Sequence, residues 1–208
     1  MSEREKMLRG ELYDAYDEEL CELREKCRQA VREFNSLSAS DMEGRRKLLG
    51  GLLASAGKNA FFLNVSFDYG VNTRIGDEFS ANFNFTVLDC AEVSIGNNVL
   101  IGANVTLATP MHSLLAEERN FQMGADGRRH LYEYAKPIVI EDNVWIASGV
   151  TVCAGVTIGR NSVIGAGSVV TRDVPPNSLA YGVPCRAIRE ICSDHDRILQ
   201  TAAQHPEL

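Results

Sequence analysis

The chain is poor in the residues that most often announce a chemistry. Histidine occurs four times and tryptophan once in 208 residues, and no two of the six cysteines stand at CxxC spacing. That cysteine pattern indicates neither a zinc site nor a redox motif, so no metal is expected and all six thiols are expected to be reduced. Basic residues do not dominate: 21 Lys and Arg against 28 Asp and Glu leave a formal charge of −7. This argues against a nucleic-acid partner, while leaving room for a local arginine cluster that binds an anion. No apolar run approaches bilayer length, and the opening MSEREKMLRGELYDAYDEEL lacks the apolar core of a signal peptide. The expectations are no membrane association and a cytoplasmic location.

What the chain does contain falls into three unequal parts. Residues 1–58 read as a helical segment. Leu20, Leu23, Cys27, Ala30, Val31 and Phe34 recur at spacings of three and four and mark one apolar face. Ser40-Asp41-Met42-Glu43 fits a capping box that opens a second helix ahead of Leu48, Leu49, Leu52 and Leu53, with Gly57 as its stop.

From residue 59 to 185 the pattern is repetition. Ile140, Ile146, Val152, Ile158, Ile164 and Val170 stand six residues apart without a break. Ile138, Val144, Val150, Val156, Ser162 and Ser168 stand two residues before them, and mostly small residues follow, such as Gly159 and Gly165. Val93/Ile95, Val99/Ile101 and Val105/Leu107 repeat the pattern earlier, and Ile75-Gly76 resembles an outlying copy. A period of six matches neither a helix nor a lone strand. It matches a short strand and a tight turn, repeated, with three units closing a triangular coil of about eighteen residues. The aliphatic side chains point into the prism. The small residues turn its corners, where positive φ or crowding penalises a larger side chain.

One interval breaks the phase: 33 residues separate Leu107 from Ile140, and six does not divide 33. A loop over 108–137 therefore leaves the coil, and long excursions from a regular solenoid are usually functional or disordered. Phe121, Tyr132 and Tyr134 favour an ordered loop. His112 lies near its start. An imidazole there can take the proton of an alcohol as its oxygen attacks an acyl group. His130, His195 and His205 read as surface residues.

Four stretches carry a resemblance along essentially the whole chain: EKMLRGELYDAYDEEL, FDYGVNTRIGDEFSANFNFTVLD, EDNVWIASGVTVCAGVTIGRNSVIGAGSVVTRDVPPN and YGVPCRAIREI. They are similar to the maltose/galactoside O-acetyltransferases of the hexapeptide-repeat superfamily. The resemblance implies a mainly β fold, a left-handed parallel β-helix with an N-terminal helical segment, a looped-out excursion and a C-terminal tail or helix over 186–208. It implies acetyl transfer from acetyl-CoA, the cosubstrate, to a hydroxyl of a small carbohydrate, directly within a ternary complex. It also implies a homotrimer with active sites between subunits.

Residue by residue, the family's catalytic histidine falls on His112, followed here by Ser113 where proline is usual. Asp68 and Asn82 match acceptor-holding positions, and Asn82 also suits donation to a developing oxyanion. A leader carboxylate reaches the acceptor in relatives; Asp14 matches, with Asp17 the alternative. Ser148 matches the main-chain amide near the thioester. Ala166, Thr171 and Arg172 match the path of the pantetheine arm and adenine, with Arg172 where lysine is commoner. Arg186 and Arg189 match the charged end of the CoA site, where guanidinium suits phosphate. Asp68 replaces the serine of galactoside-type members and leans toward maltose or glucose acceptors. The excursion is about nine residues longer than in shorter relatives, around Ala125 to Leu131, and loops are where families vary most.

Rival readings are weaker. A β-helix hydratase of the γ-carbonic anhydrase kind needs three histidines on one metal, and only His112 and His130 lie in or beside the coils. A non-catalytic scaffold would more often show uniform ranks of Thr or polar residues on one face, with no looped-out histidine. Acetylation of a non-sugar hydroxyl, such as that of an antibiotic, is the nearest alternative. Trp145 points away from the prism by phase, toward a subunit contact or pocket wall. Cys90 and Cys153 lack a paired base, so no acetyl-enzyme is expected.

Overall fold

A computed structural model describes residues 1–197; residues 198–208, with the end of the expected tail and His205, lie outside the described residues. Three helices precede the coils: α1 (Glu3–Leu8), α2 (Glu18–Ser36) and α3 (Met42–Leu52). On α2, Leu20, Cys27 and Phe34 are buried, one stripe at helical spacing. The cap of α3 falls one residue later than the capping box placed it. Asp41 Oδ1 accepts from Gly44 N at 3.0 Å, while Ser40 Oγ turns to Ser38 Oγ at 2.8 Å. The helix also stops before Gly57, because Ser55–Ala56 already pairs in parallel with Thr73–Ile75 as a coil strand.

The coils form a parallel β-solenoid of about six turns with three faces. The first face runs Ser55–Ala56, Thr73–Ile75, Val93–Ile95, Ile138–Ile140 and Thr157–Ile158. The second runs Phe61–Phe62, Ser80–Ala81, Leu100–Ile101, Trp145–Ile146, Val163–Ile164 and Ser178–Gly182, which an antiparallel strand, Cys185–Glu190, closes. The third runs Val65–Phe67, Phe85–Leu88, Thr106–Ala108, Thr151–Val152 and Val169–Val170. Both six-residue ranks point inward: Ile140, Ile146, Val152, Ile158, Ile164 and Val170 are buried, as are Ile138, Val144, Val150 and Val156. Each such side chain contributes about 1.5–3 kcal/mol by leaving water.

Of the two reasons offered for small corner residues, crowding governs those that follow the aliphatics. A Cβ on Gly102 would stand 2.5 Å from Ser148 N, and one on Gly96 would stand 2.8 Å from Asp142 N. Positive φ falls elsewhere, on other glycines and on asparagine: Asn84, Asn98, Asn104, Asn143, Asn161 and Asn177 all have φ of 55–60°. Asparagine tolerates that region, and here its side chains also bond from coil to coil. Asn64 donates to Asn84 at 3.0 Å and Asn84 to Asn104 at 2.9 Å.

The N-terminal end of the prism is filled by aromatics and closed by helices. Phe62, Phe79 and Phe85 pack with centroids 4.9–6.4 Å apart, and Phe34 of α2 meets Phe62 edge-on at 6.3 Å. Buried Arg45 of α3 donates to the carbonyls of Phe62 and Leu63, both at 2.7 Å, and its guanidinium lies 4.1 Å over the Phe34 ring. Asn35 bonds both the N–H and the C=O of Val65. Open backbone groups of a first coil are a template for wrong pairing, and these two side chains occupy them.

Two glycines should respond oppositely to alanine. Gly102→Ala is expected to cost about 1–3 kcal/mol by forcing coils apart. Gly50→Ala, inside α3 with open space around its Cβ position, is expected to gain about 0.5–1 kcal/mol. Urea midpoints at constant m-value check both.

Candidate active site

Between the third and first faces the chain builds its one elaborate corner. The excursion leaves after Thr106–Ala108 and returns at Ile138. It carries a strand Pro110–Met111, a short helix Ala116–Arg119, a hairpin of Gln122–Met123 with Arg129–His130, and a strand Tyr132–Ala135. That last strand is the centre of a three-stranded antiparallel sheet. On one side it pairs with Pro110–Met111, on the other with Tyr13–Asp14 of the leader. Leader and excursion are thus stitched together by backbone hydrogen bonds. The aromatics of the loop are ordered, with Phe121 edge-on to Tyr16 at 5.3 Å.

Strand alternation divides this sheet into two sides. Glu133 is in register with Tyr13 and accepts from its hydroxyl at 2.9 Å. The other carboxylate oxygen of Glu133 stands 3.7 Å from His112 Nε2, within ion-pair range if the imidazole is charged. Glu133 is largely buried and His112 half-exposed. Sequence reasoning missed Glu133; its signal was a lone carboxylate between two tyrosines in YEYA. On its side lies a cavity of about 370 Å³ whose lining includes Asp68, Glu133, Arg24, Arg28, Tyr69 and Cys90.

Asp68 is held there by a turn that another carboxylate fixes. Fully buried Asp89 accepts from Tyr69 N (2.8 Å), Asn72 N (3.3 Å) and Thr73 Oγ1 (3.0 Å). Gly70, at φ +69°, has the Leu52 carbonyl 2.6 Å from where a Cβ would stand, so the turn requires glycine. Burial pushes the Asp68 carboxyl above its ordinary range, nearby Asp89 adds to this, and Arg24 opposes it. Burial likewise pushes the Cys90 thiol up to about 12, which leaves it protonated and a poor nucleophile.

Asp14 is engaged differently from Asp68. Its Oδ1 accepts from Tyr16 N (3.0 Å) and Leu131 N (3.1 Å), and its Oδ2 lies 2.6 Å from His130 Nδ1. The other ring nitrogen of His130 is 3.1 Å from Asp126, and the ring stacks on Tyr132 with centroids 6.1 Å apart. His130, read from sequence as a plain surface residue, therefore clamps the hairpin to the leader between two carboxylates. Asp17 caps α2, accepting from Glu19 N at 3.1 Å.

The remaining residues sit at other places on the prism. Asn82, Ser148 and Ala166 lie exposed at the corner between the second and third faces. Ser148 Oγ accepts from Ala103 N at 3.2 Å, and Asn82 Oδ1 accepts from Phe83 N at 2.8 Å. Around them stand Gly102, Ala103, Gly149 and Gly167, a run of small residues that leaves backbone approachable. Thr171 and Arg172 follow the last third-face strand, Val169–Val170, toward the first face. Arg186 and Arg189 are exposed on the closing strand. Arg189 makes a two-pronged bond to Asp196 at 2.7 and 2.8 Å, which holds the Asp196 carboxyl down at about 2. One chain therefore brings Asp68, His112 and Glu133 to one edge and Asn82, Ser148 and Ala166 to another. Among the described residues no cluster of three or more His, Cys, Asp or Glu is arranged to hold a metal, and no helix is long and apolar enough to cross a membrane.

Comparisons with known proteins agree on one family. Residues 6–57 match the maltose acetyltransferase hexapeptide capping motif, and residues 137–172 match the bacterial transferase hexapeptide repeats. The galactoside O-acetyltransferase of Escherichia coli is 45% identical over 195 residues, spanning 93% of this chain and 91% of the relative. A maltose O-acetyltransferase structure from Clostridium difficile 630 superposes with a TM-score of 0.85 at 44% identity, covering 92% of this chain and 98% of that one. A hexapeptide-repeat acetyltransferase from Vibrio cholerae, solved in complex with acetyl coenzyme A, gives a TM-score of 0.80 at 37% identity, covering 92% and 100%.

The His130 clamp sets a pH dependence. Hydrogen bonds that the ring donates to the Asp126 carboxylate first and the Asp14 carboxylate second raise the imidazole above its ordinary value. A raised pKa adds stability that is complete below the unfolded value of about 6.5 and disappears as pH climbs through the folded value. Thermal midpoints are therefore expected to fall as pH rises above about 6.5, and His130→Gln should remove that part of the slope. An unchanged slope in the variant would contradict the clamp.

Proposed function

The chain belongs to the maltose and galactoside O-acetyltransferase family and is an acetyl-CoA-dependent O-acetyltransferase; from that premise we propose that it acetylates a sugar hydroxyl by direct transfer, with His112 as general base. The observation that carries this reading is His112 Nε2 3.7 Å from the largely buried carboxylate of Glu133, a residue that lines a polar cavity together with Asp68. The imidazole takes the hydroxyl proton as the sugar oxygen attacks the thioester carbonyl carbon. Glu133 steadies the imidazolium so formed, in the manner of an orienting carboxylate. When the carbon–sulfur bond breaks, the proton passes from His112 to the departing CoA sulfur. Asp68, with Arg24 and Arg28 across the cavity, offers the hydrogen-bonding groups that a ring of hydroxyls needs. Aspartate here, where galactoside-type relatives have serine, leans toward maltose or glucose acceptors. Asp14, the leader candidate for the acceptor, contributes by holding the cavity wall through Leu131 and His130.

The donor half of the reading uses the other edge. The Ser148 amide and Asn82 suit the carbonyl oxygen as charge develops. Ala166 and its glycine neighbours admit the thin pantetheine arm, with Thr171 and Arg172 further along. Arg186 and Arg189 suit the phosphates. Because acceptor and donor residues occupy different edges, we read the working enzyme as a homotrimer in which each site forms between neighbouring subunits. The second face supports this. Leu100 and Trp145 are paired in register there and half-exposed, an apolar strip pointing outward. Trp145 thus belongs to the expected subunit contact.

Three outcomes are expected. His112→Ala should retain acetyl-CoA binding by calorimetry and lose about 10²–10⁴ in turnover, the usual contribution of a positioned base; turnover within about twofold of the parent would remove His112 from that role. Replacing Arg186 and Arg189 together should raise KM for acetyl-CoA more than KM for the sugar, in steady-state assays of free CoA. Light scattering should give three times the 22.9 kDa chain mass, and a monomer mass would overturn the shared site.

A further inference from the structure

The proposed chemistry assigns no task to Tyr13, although the leader brings this side chain next to the carboxylate behind the base. Tyr13 is fully buried, and Glu133 faces it directly across the antiparallel pair. The Tyr13 hydroxyl donates to Glu133 Oε2 at 2.9 Å, while Glu133 Oε1 stands 3.7 Å from His112 Nε2. Tyr13 does not line the cavity to which Glu133, Asp68, Arg24 and Arg28 contribute. A molecule in that cavity therefore meets Glu133 but not Tyr13. Alternation along the strand sends the next leader side chain, Asp14, to the clamp with His130 instead.

A glutamate side chain has several rotatable bonds and holds one position only if something fixes it. Two attractions compete for Glu133. One is the imidazole; the other is the guanidinium groups of Arg24 and Arg28, which line the same cavity and suit a carboxylate well. A donor that fixes one carboxylate oxygen decides where the other points. The phenol suits this task because it has a single hydrogen to give. Burial, with Cys90 and then Glu133 adding, pushes its ionisation well above the ordinary tyrosine range, so it stays a donor. The Cys90 thiol, its other polar neighbour, is too weak an acceptor to draw that hydrogen from a carboxylate. The ring itself sits in a small buried core with Met7, Leu20, Tyr69 and Ala135. Packing thus fixes the donor, and the donor fixes the carboxylate.

Resting on the reading of His112 as the base, we infer that Tyr13 is a positioning residue for acetyl transfer. By holding Glu133 Oε2 it keeps Glu133 Oε1 toward the imidazole and away from the two arginines. The charge that forms on His112 as the sugar oxygen attacks is then met by a carboxylate already in place. The leader takes part in the chemistry through a buried side chain that never touches substrate.

The test is a cycle of Tyr13→Phe, Glu133→Gln and the double variant, assayed with maltose and acetyl-CoA beside His112→Ala. Tyr13→Phe removes one oxygen and keeps the ring, so the small core and the strand pairing stay. Its kcat should fall about ten- to hundredfold, the worth of one charged hydrogen bond, with KM for either substrate within about twofold. In the Glu133→Gln background the same change should cost no more than about twofold, because the residue through which Tyr13 acts is already altered. A merely structural tyrosine would multiply its loss onto that of Glu133→Gln. That outcome, or a kcat for Tyr13→Phe within about twofold of the parent, would overturn the inference. So would a raised KM for maltose at unchanged kcat, which would make Tyr13 an acceptor contact. His112→Ala separates this inference from the reading beneath it. Retained turnover there removes the base and Tyr13's task with it; lost turnover there, with Tyr13→Phe unaffected, removes only the task. A crystal structure of Tyr13→Phe decides the point even if maltose is not acetylated: Glu133 turned from His112 toward Arg24 supports the positioning, and Glu133 unmoved overturns it.

Discussion

Successive coils can bond edge to edge only at the spacing of neighbouring strands, about 4.8 Å, and this one distance governs the rest of the molecule. At the corners it leaves no room for a side chain between coils. Gly96 and Gly102 face backbone of the next coil so closely that a Cβ would collide. The same spacing lets identical side chains stack. Asparagines at positive φ reach one another from coil to coil, turning an awkward backbone conformation into a ladder of hydrogen bonds. Inside, the ranks of valine and isoleucine add apolar burial at every step.

A solenoid so built has two weaknesses: its ends expose backbone, and its flat faces offer no concavity. The leader and the excursion answer both. α2 and α3 close the first coil through Asn35, Arg45 and Phe34, and the strand at Tyr13–Asp14 that precedes them pairs with the excursion. The cavity lined by Asp68 and Glu133 exists because two segments 120 residues apart in sequence pair there, Tyr13 with Glu133. The proposed acceptor side is thus built on additions to a regular scaffold, which is where binding groups usually reside.

Carboxylates do unlike work within a short distance of one another. Asp89 is consumed by three donors and fixes a turn. Asp68, on that turn, is left facing the cavity. Asp14 is spent on the clamp with His130, whereas Glu133 keeps one oxygen for Tyr13 and one for the imidazole. Burial and the number of donors within reach separate these roles; residue type does not.

The period of six determined the solenoid by itself, because only a strand-and-corner repeat turns six residues into a closed, inward-pointing rank. The phase break located the excursion, and four family-like stretches marked the reaction class. Local signals were less exact at α3, where Ser40 and Asp41 compete for one cap and only packing chooses Asp41. Two matters were beyond any local pattern. The partnership of Glu133 with His112 and Tyr13, and the clamp of His130 by Asp14 and Asp126, join residues from distant parts of the chain. The division of Asp68 and His112 from Asn82 and Ser148 onto separate edges depends on how many residues each coil spends between corners. Side chains that meet through pairing of remote strands leave no spacing rule in the sequence, so only the tertiary structure decided them.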